Sequence, residues 1–104
     1  MKILEDIRVL DLTQFWFGPY CTMMLADMGA EVIRIEPPWG SVDRMADAFL
    51  AGGSSYTFHQ LNLNKKGLTL NLKTEEGVNV FKELVPTADV VVQNFRPGTI
   101  ERLG

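Results

Sequence analysis

Residues 7–35 read IRVLDLTQFWFGPYCTMMLADMGAEVIRI, and this stretch decides the fold. It opens with a short apolar run at 7–12, which predicts a buried strand, and it closes with a second such run at 31–35. Between the two runs, Pro19 suits the first turn of a helix, and Gly29 supplies the positive φ with which many helices end. A strand, a helix and a strand in this order predict two parallel neighbours joined by a right-handed crossover.

The predicted helix carries apolar side chains at helical spacing. Cys21, Met24, Leu25 and Met28 recur at i, i+3, i+4 and i+7, and we expect this face to pack on the sheet. Cys21 is then predicted to be a small core residue. Because it is the only cysteine, the sequence excludes an internal disulfide and a multi-cysteine zinc site, and no metal site is predicted.

The alternation of strands and helices continues along the chain. Residues 68–72 alternate leucine with polar residues, which predicts a third strand. Thr74 is then expected to cap a helix that begins at Glu75 and ends at Pro86, and residues 89–92 form a fourth apolar strand. The pattern predicts an α/β fold with a Rossmann-like parallel sheet and flanking helices. Residues 37–55 interrupt it with a long loop, in which 45–50 is predicted to form a short helix.

Composition narrows the class of protein. A chain of 104 residues with 46% hydrophobic residues predicts one domain with a modest core. Its net charge of −3 provides no basic field for nucleic acid. The uncharged stretch at residues 12–26 is too short to span a bilayer, and the start of the chain lacks a signal-peptide core. We therefore expect a cytoplasmic protein with no membrane association.

Common cofactor and catalytic motifs are absent from the sequence. The turn after the first strand reads TQFWFG at 13–18, and a dinucleotide-binding fold needs glycines where this turn is bulky, which argues against NAD and FAD. There is no Walker A lysine motif, and His59, the only histidine, has no serine and carboxylate partners at triad spacing. We expect His59 to be a structural or surface residue, and Asp11 and Asp27 to be turn, cap or interface residues.

Two segments are candidates for ligand contact. Residues 93–98, QNFRPG, follow the fourth strand, and ligands of open α/β sheets bind beyond the carboxyl ends of the strands. Arg96 and Arg102 suit a phosphate, and Phe95 suits a flat ring, although Phe95 packing in a plain turn between solvated arginines explains the residues equally well. The aromatic triplet at 15–17 follows the first strand, at the mouth of the sheet. There it would either contact a ligand or pack as a hydrophobic plug against a partner domain.

Four segments, taken in order, resemble one family. IRVLDLT at 7–13, GPY followed by LADMGAEVIRIEPP within 18–38, LNLNKKGLTLNLK at 61–73 and NFRPG at 94–98 are similar to the start of the class III CoA-transferases. This family includes formyl-CoA transferase, carnitine CoA-transferase and 2-methylacyl-CoA racemase. The resemblance implies that residues 1–104 are a partial CoA-binding domain, the amino-terminal portion of a CoA-transferase family III fold that lacks the rest of the sheet and the second domain.

The resemblance also implies which residues meet the substrate. Coenzyme A would be a substrate rather than a covalently bound cofactor. The protein would bind a CoA thioester and a carboxylic acid. The implied CoA-contacting residues are Phe15, Pro37, Leu70, Lys73, Asn94, Phe95 and Arg102, and Trp16 would shape the acyl pocket. Lys73 and Arg102 would meet phosphates, and Phe95 the nucleotide end. Relatives often have a basic residue at the position of Pro37, which offers only apolar or backbone contact.

The catalytic group is expected elsewhere. The family's nucleophile is an aspartate that forms mixed-anhydride and thioester intermediates, and it would lie beyond Gly104, so that residues 1–104 alone are expected to be inactive. The resemblance also implies that the full-length protein is an interlocked homodimer. Two alternatives remain, an acyl-CoA racemase of the same fold and a stand-alone, non-catalytic CoA- or nucleotide-binding module.

Overall fold

The computed structural model describes residues 3–14, 17–40, 61–62, 64–95 and 97–100. Its strands are β1 Arg8–Asp11, β2 Glu31–Glu36, β3 Lys66–Thr69 and β4 Val90–Val92, and its helices are α1 Phe17–Asp27 and α2 Glu75–Leu84. The strands pair in parallel in the order β3-β2-β1-β4. The predicted parallel sheet with flanking helices is therefore confirmed, including the parallel pairing of the first two strands.

The sheet separates two apolar cores, because neighbouring residues of a strand point to opposite faces. Val9 belongs to the core on the α1 side, whereas Leu10 belongs to the core on the α2 side, and both are fully buried. The first core consists of Val9, Ala26, Ala30 and Val32. The second consists of Leu10, Leu12 and Ile35, with Phe81, Leu84 and Phe95 packed against it. Burying each large aliphatic side chain stabilises the fold by about 1.5–3 kcal/mol.

The predicted inner face of α1 is wrong. The helix buries Pro19, Thr22 and Ala26, whereas Cys21, Met24 and Met28 are exposed and Leu25 is half-buried. Apolar spacing pointed to the wrong side because the strand beneath the helix presents a carboxylate, Asp11, which accepts a hydrogen bond from Thr22. Cys21 is accordingly an exposed free thiol and not a core residue.

The third strand begins and ends earlier than predicted, at Lys66–Thr69 instead of 68–72. Its pairing with β2 ends with a bond of 2.8 Å from the Leu70 N–H to the Glu36 carbonyl. Asn71 then turns the chain, because its side chain accepts from the Lys73 N–H at 3.1 Å. This turn carries Leu72 and Lys73 past the end of the sheet.

The start of α2 is as predicted. The Thr74 hydroxyl accepts from the Gly77 N–H at 3.1 Å, and Glu75 and Glu76 occupy the first turn, where the helix dipole favours carboxylates. A Cβ on Gly77 would lie 2.0 Å from the carbonyl oxygen of Asn71, so the tight approach of turn and helix requires glycine. Pro86 lies in the 3₁₀ turn Val85–Thr87 that follows the helix.

Several predictions concern residues outside the described ranges. These are the contacts of Phe15, Trp16, Arg96 and Arg102, the short helix at 45–50 and the role of His59. Among the helices that are described, none has the length and apolar character to cross a bilayer.

Candidate functional site

A cleft of about 290 Å³ opens at the carboxyl ends of the strands. Leu12, Ile35 and Leu70, from three different strand ends, give it an apolar floor on the α2 side of the sheet. From β1 the sheet continues through β2 to β3 on one side, whereas β4 pairs with the other edge of β1. Open α/β sheets bind ligands in the crevice at such a reversal of strand order.

A second groove, of about 570 Å³, runs along the start of α2. It is more open to solvent than the cleft. It is lined by Leu72, Lys73, Thr74, Glu75, Val78, Asn79 and Lys82, of which Leu72 and Lys73 also line the cleft. Ligand sites are concave and mostly apolar with a few polar groups, so we take the smaller cleft as the candidate site.

Four of the predicted CoA-contacting residues line the cleft. They are Pro37, Leu70, Lys73 and Phe95, which come from the ends of β2, β3 and β4. Asn94 lies beside the cleft and is bonded to Gln14, which lines it. The remaining predicted residues, Phe15, Arg102 and Trp16, lie outside the described ranges. The fold thus brings together residues that are far apart in sequence.

Trp39 is a cleft residue that was not predicted. It is 64% exposed, and the Lys73 Nζ lies 5.4 Å from the centroid of its ring, within cation–π distance. The available signal was a tryptophan between Pro38 and Gly40, in the irregular segment directly after a strand. Together the two side chains give the rim of the cleft a flat aromatic surface and a positive charge.

The side chain of Asn94 joins two strand exits. The backbone bond from the Leu12 N–H to the Val92 carbonyl, at 2.9 Å, continues the pairing of β1 with β4. Further along, the Gln14 N–H donates to Asn94 Oδ1 at 2.9 Å, and Asn94 Nδ2 donates to the Gln14 carbonyl at 2.7 Å. We refer to these two bonds as the Asn94–Gln14 amide pair. The neighbouring Gln93 accepts from the Phe95 N–H through Oε1 at 2.8 Å, so both amides hold loop backbone in place.

A buried ion pair lies under the turn between β1 and α1. Lys65 Nζ is 2.8 Å from Asp11 Oδ2, and the two side chains are 2% and 0% exposed. The same ammonium donates to Asn62 Oδ1 at 2.8 Å and to the Pro19 carbonyl at 3.2 Å. Buried charges are tolerated when they are paired and hydrogen-bonded, and this lysine meets both conditions.

The Asp11 carboxylate also organises the turn itself. It accepts from the Thr13 N–H at 2.9 Å, from the Thr13 hydroxyl and from the Thr22 hydroxyl at 2.7 Å. A Cβ on Gly18 would lie 2.3 Å from the Thr13 Cβ, so glycine is needed where the turn enters the helix. The sequence prediction that Asp11 is a turn or interface residue therefore agrees with its contacts.

Of the lysines near β3, Lys73 is the one that lines the cleft. Lys66 pairs with Glu31 at 2.6 Å, and Glu31 also accepts from Arg8 Nε at 2.5 Å, at the amino-terminal ends of the strands. These hydrogen bonds, from Lys66 first and then from Arg8, lower the pKa of Glu31. Glu36, which lines the cleft, lies 3.7 Å from Arg34 Nε with both side chains buried, and the guanidinium offsets part of its charge.

Within the described ranges, no group of three or more His, Cys, Asp or Glu side chains is arranged as a metal site. The cleft instead offers apolar surface, aromatic rings, one lysine and the Glu36 carboxylate, whose charge Arg34 partly offsets. Such a set of groups suits an organic ligand with a flat ring and an anionic group.

Comparison with known proteins gives one consistent result. The family model for CoA-transferase family III matches residues 4–104. Succinyl-CoA:mesaconate CoA-transferase of Haloarcula marismortui is 48% identical over 106 residues, which cover 98% of this chain and 27% of that protein. Formyl-CoA:oxalate CoA-transferase of Streptomyces avermitilis is 45% identical over 103 residues, which cover 99% of this chain and 25% of that protein.

The similarity extends to solved structures. The crystal structure of a hypothetical protein from Mycobacterium tuberculosis matches with a TM-score of 0.90 at 41% sequence identity, covering 100% of this chain and 28% of that one. The chain therefore spans about a quarter of the length of the relatives that it matches.

Proposed function

Because the chain belongs to CoA-transferase family III, we propose that it forms the amino-terminal, CoA-binding part of an acyl-CoA:carboxylate CoA-transferase. Such an enzyme moves coenzyme A between a thioester and a carboxylic acid. The observation that carries the proposal is the cleft, which gathers Pro37, Leu70, Lys73 and Phe95 at the ends of separate strands.

The chemistry of the cleft matches one end of coenzyme A. Phe95 and Trp39 offer aromatic surface to the adenine, and the Lys73 ammonium offers charge to a phosphate. Pro37 and Leu70 add apolar contact. A volume of about 290 Å³ suits only part of a molecule as large as coenzyme A. We therefore propose that Phe15, Arg102 and the acyl-pocket residue Trp16 complete the contacts within this chain, and that the rest of the protein supplies the remainder.

The proposed reaction uses an aspartate downstream of residue 104. Its carboxylate would attack the thioester carbonyl to form a mixed anhydride and release CoA thiolate, which would then attack the aspartyl carbonyl and release the first acid. The acceptor carboxylate would then attack the aspartyl-CoA thioester and release CoA thiolate. The thiolate would attack the acyl carbonyl of the new mixed anhydride, which forms the product thioester and frees the aspartate. Asp11 is unsuited to this role because it is fully buried and accepts four hydrogen bonds from Thr13, Thr22 and Lys65.

Two alternatives make different predictions. An acyl-CoA racemase of the same fold would exchange the α-proton of an acyl-CoA without any acceptor acid. A stand-alone binding module would bind CoA, and its reading frame would end near residue 104. The acids in the names of the relatives, mesaconate and oxalate, differ, so we propose the acceptor only as a carboxylic acid. We further propose a homodimer in the cytoplasm for the full-length protein.

The decisive experiment measures CoA transfer by the purified full-length protein. Succinyl-CoA and formyl-CoA are supplied as donors with a panel of carboxylic acids, and new thioesters are detected by mass spectrometry. Calorimetric titration with CoA, for the wild type and Lys73→Gln, tests the cleft separately. A charge-assisted bond to phosphate contributes about 1.5–3 kcal/mol, so Lys73→Gln is expected to bind CoA roughly ten- to a hundredfold more weakly. Unchanged affinity would remove Lys73 from the site.

A further inference from the structure

We propose that Asn94 is a positioning residue, which holds the turn between β1 and α1 in its ligand-binding form through the Asn94–Gln14 amide pair. The inference deepens the proposed function, because the ligand in question is coenzyme A. It concerns how the cleft is built and does not require the Asn94 side chain to contact the ligand.

The geometry of the pair carries the proposal. A side-chain amide has the same donor and acceptor groups as a peptide, and Asn94 uses both of them on the backbone of Gln14, at 2.9 and 2.7 Å. The pair continues the bonding between the exits of β1 and β4 beyond the last backbone bond, from Leu12 to Val92. Asn94 thus ties the wall of the cleft formed by Gln14 to the loop that presents Phe95.

The turn is fixed from beneath as well. Asp11 holds the Thr13 N–H and hydroxyl, and Thr13 packs against Gly18 so closely that glycine is required there. The buried ion pair with Lys65 holds the Asp11 carboxylate in place. The inner side of the turn is therefore attached to the protein core, whereas the Gln14 backbone on its outer side is attached through the exposed Asn94.

This arrangement has a consequence for binding. Without the amide pair, the Gln14 backbone would exchange its bonds with water, and the wall of the cleft would have to become ordered when the ligand arrives. Ordering a loop on binding lowers affinity, whereas a preformed site avoids that cost. A direct bond from the Asn94 amide to CoA would compete with the bonds that the amide already makes to Gln14.

The test compares Asn94→Asp with Gln93→Glu in the full-length protein. Asn94→Asp keeps the size of the side chain and an acceptor for the Gln14 N–H, but it replaces the donor to the Gln14 carbonyl with an oxygen that this carbonyl repels. Gln93→Glu adds the same charge one residue earlier and keeps the oxygen that accepts from Phe95. Hydrogen exchange of the peptide containing Gln14 is measured without ligand, and the Kd for CoA is measured by calorimetry.

We expect repulsion from the Gln14 carbonyl to drive the carboxylate introduced by Asn94→Asp off the Gln14 backbone, so that the Gln14 amide exchanges about tenfold faster than in the wild type or Gln93→Glu. We expect the Kd for CoA to rise about tenfold relative to Gln93→Glu. Weaker binding with unchanged exchange would assign Asn94 to direct ligand contact and overturn the proposal. Faster exchange with unchanged affinity would make the pair purely structural and would also overturn it. If the wild type fails to bind CoA, the proposed function fails, while the exchange data still decide whether Asn94 holds the turn.

Discussion

We expect Trp39 to be the residue through which the cleft would recognise a nucleotide. Its ring is largely exposed, it lines the same cleft as Phe95, and the Lys73 ammonium lies over its face. Stacking of a base on an aromatic side chain contributes about 1–3 kcal/mol. An adenine bound here would gain that energy while its phosphates approach the lysine.

Trp39→Ala is therefore expected to weaken the binding of CoA and of adenosine 3′,5′-bisphosphate by a similar factor, on the order of tenfold or more. Pantetheine, which lacks the base and the phosphates, should bind Trp39→Ala and the wild type equally. Titration of the three ligands by calorimetry measures these differences. Trp39→Phe is the control, because it keeps an aromatic face and should retain most of the affinity. An equal loss for pantetheine would show that Trp39 shapes the cleft as a whole and does not contact the base.

At the scale of residues, the sequence predicted part of the lining of the candidate cleft. Pro37, Leu70, Lys73 and Phe95 were predicted by family resemblance, and the fold brings them to one cleft because parallel strands end at the same edge. The surroundings of Lys65 could not be predicted in the same way. It follows Asn64 in a polar run typical of a solvated loop, and its buried environment depends on Asp11, which belongs to a distant strand.

At the scale of strands and helices, ion pairs join several elements of the fold. Glu31 of β2 bonds to Arg8 of β1 and Lys66 of β3 at the amino-terminal edge of the sheet. Both partners lower its pKa, with Lys66 contributing most. A carboxyl whose pKa is lowered in the folded state adds stability above its unfolded pKa, and this contribution is lost as the pH falls through the folded pKa.

Glu31→Gln should accordingly reduce stability near neutral pH and have little effect in acid. Urea midpoints of the wild type and the variant are compared at about pH 7 and at about pH 3, below the unfolded pKa of glutamate near 4.3. The difference between the midpoints should shrink as the pH falls. A deficit of equal size at both pH values would mean that Glu31 acts through packing and not through its charge.

The Asp11–Lys65 pair links β1, the segment before β3 and the first turn of α1. Removing one member of a buried ion pair costs about 3–5 kcal/mol, because the other charge is left uncompensated. Lys65→Met should therefore destabilise the protein by that amount. The double variant Lys65→Met/Asp11→Asn should be more stable than Lys65→Met alone, since the neutral amide leaves no buried charge.

Chemical denaturation of the single and double variants measures this coupling. Lys66→Met is the matched control, because its ammonium belongs to a side chain that is 69% exposed and a surface pair contributes about 0–1 kcal/mol. A loss in Lys65→Met no larger than that in Lys66→Met would show that the buried pair contributes little to the fold.

Periodicity predicted the existence and type of the described strands and helices, because apolar residues recur at strand or helix spacing in and around them. It failed where polar groups determine the packing. The Asp11–Thr22 bond turns α1 so that its methionines face outward, and the Asn71 turn ends β3 before the last leucines of the alternating run. A pattern of apolar residues carries no information about such buried polar bonds.

At the scale of the whole molecule, α1 presents an apolar stripe to solvent. Phe17 is 92% exposed, and Tyr20, Met24 and Met28 are 52%, 42% and 39% exposed. Their spacing places them along one side of the helix, and contiguous apolar surface of this kind marks a contact with other protein. Since the chain spans about a quarter of the length of its relatives, we expect the rest of the full-length protein to cover this stripe.

Met24→Gln tests this expectation in the full-length protein. If the stripe is covered, the substitution places an amide in an apolar contact and should lower the free energy of unfolding by about 1–3 kcal/mol. Val80→Gln on α2 is the matched control, because Val80 is exposed to almost the same extent, 43% against 42%. An isolated apolar residue on a solvated helix should change stability by no more than about 0.5 kcal/mol. Thermal and urea unfolding of both variants measures the difference. Equal, small effects would mean that α1 faces water in the full-length protein, and the contact of the remaining chain with this sheet would then have to be sought on another surface.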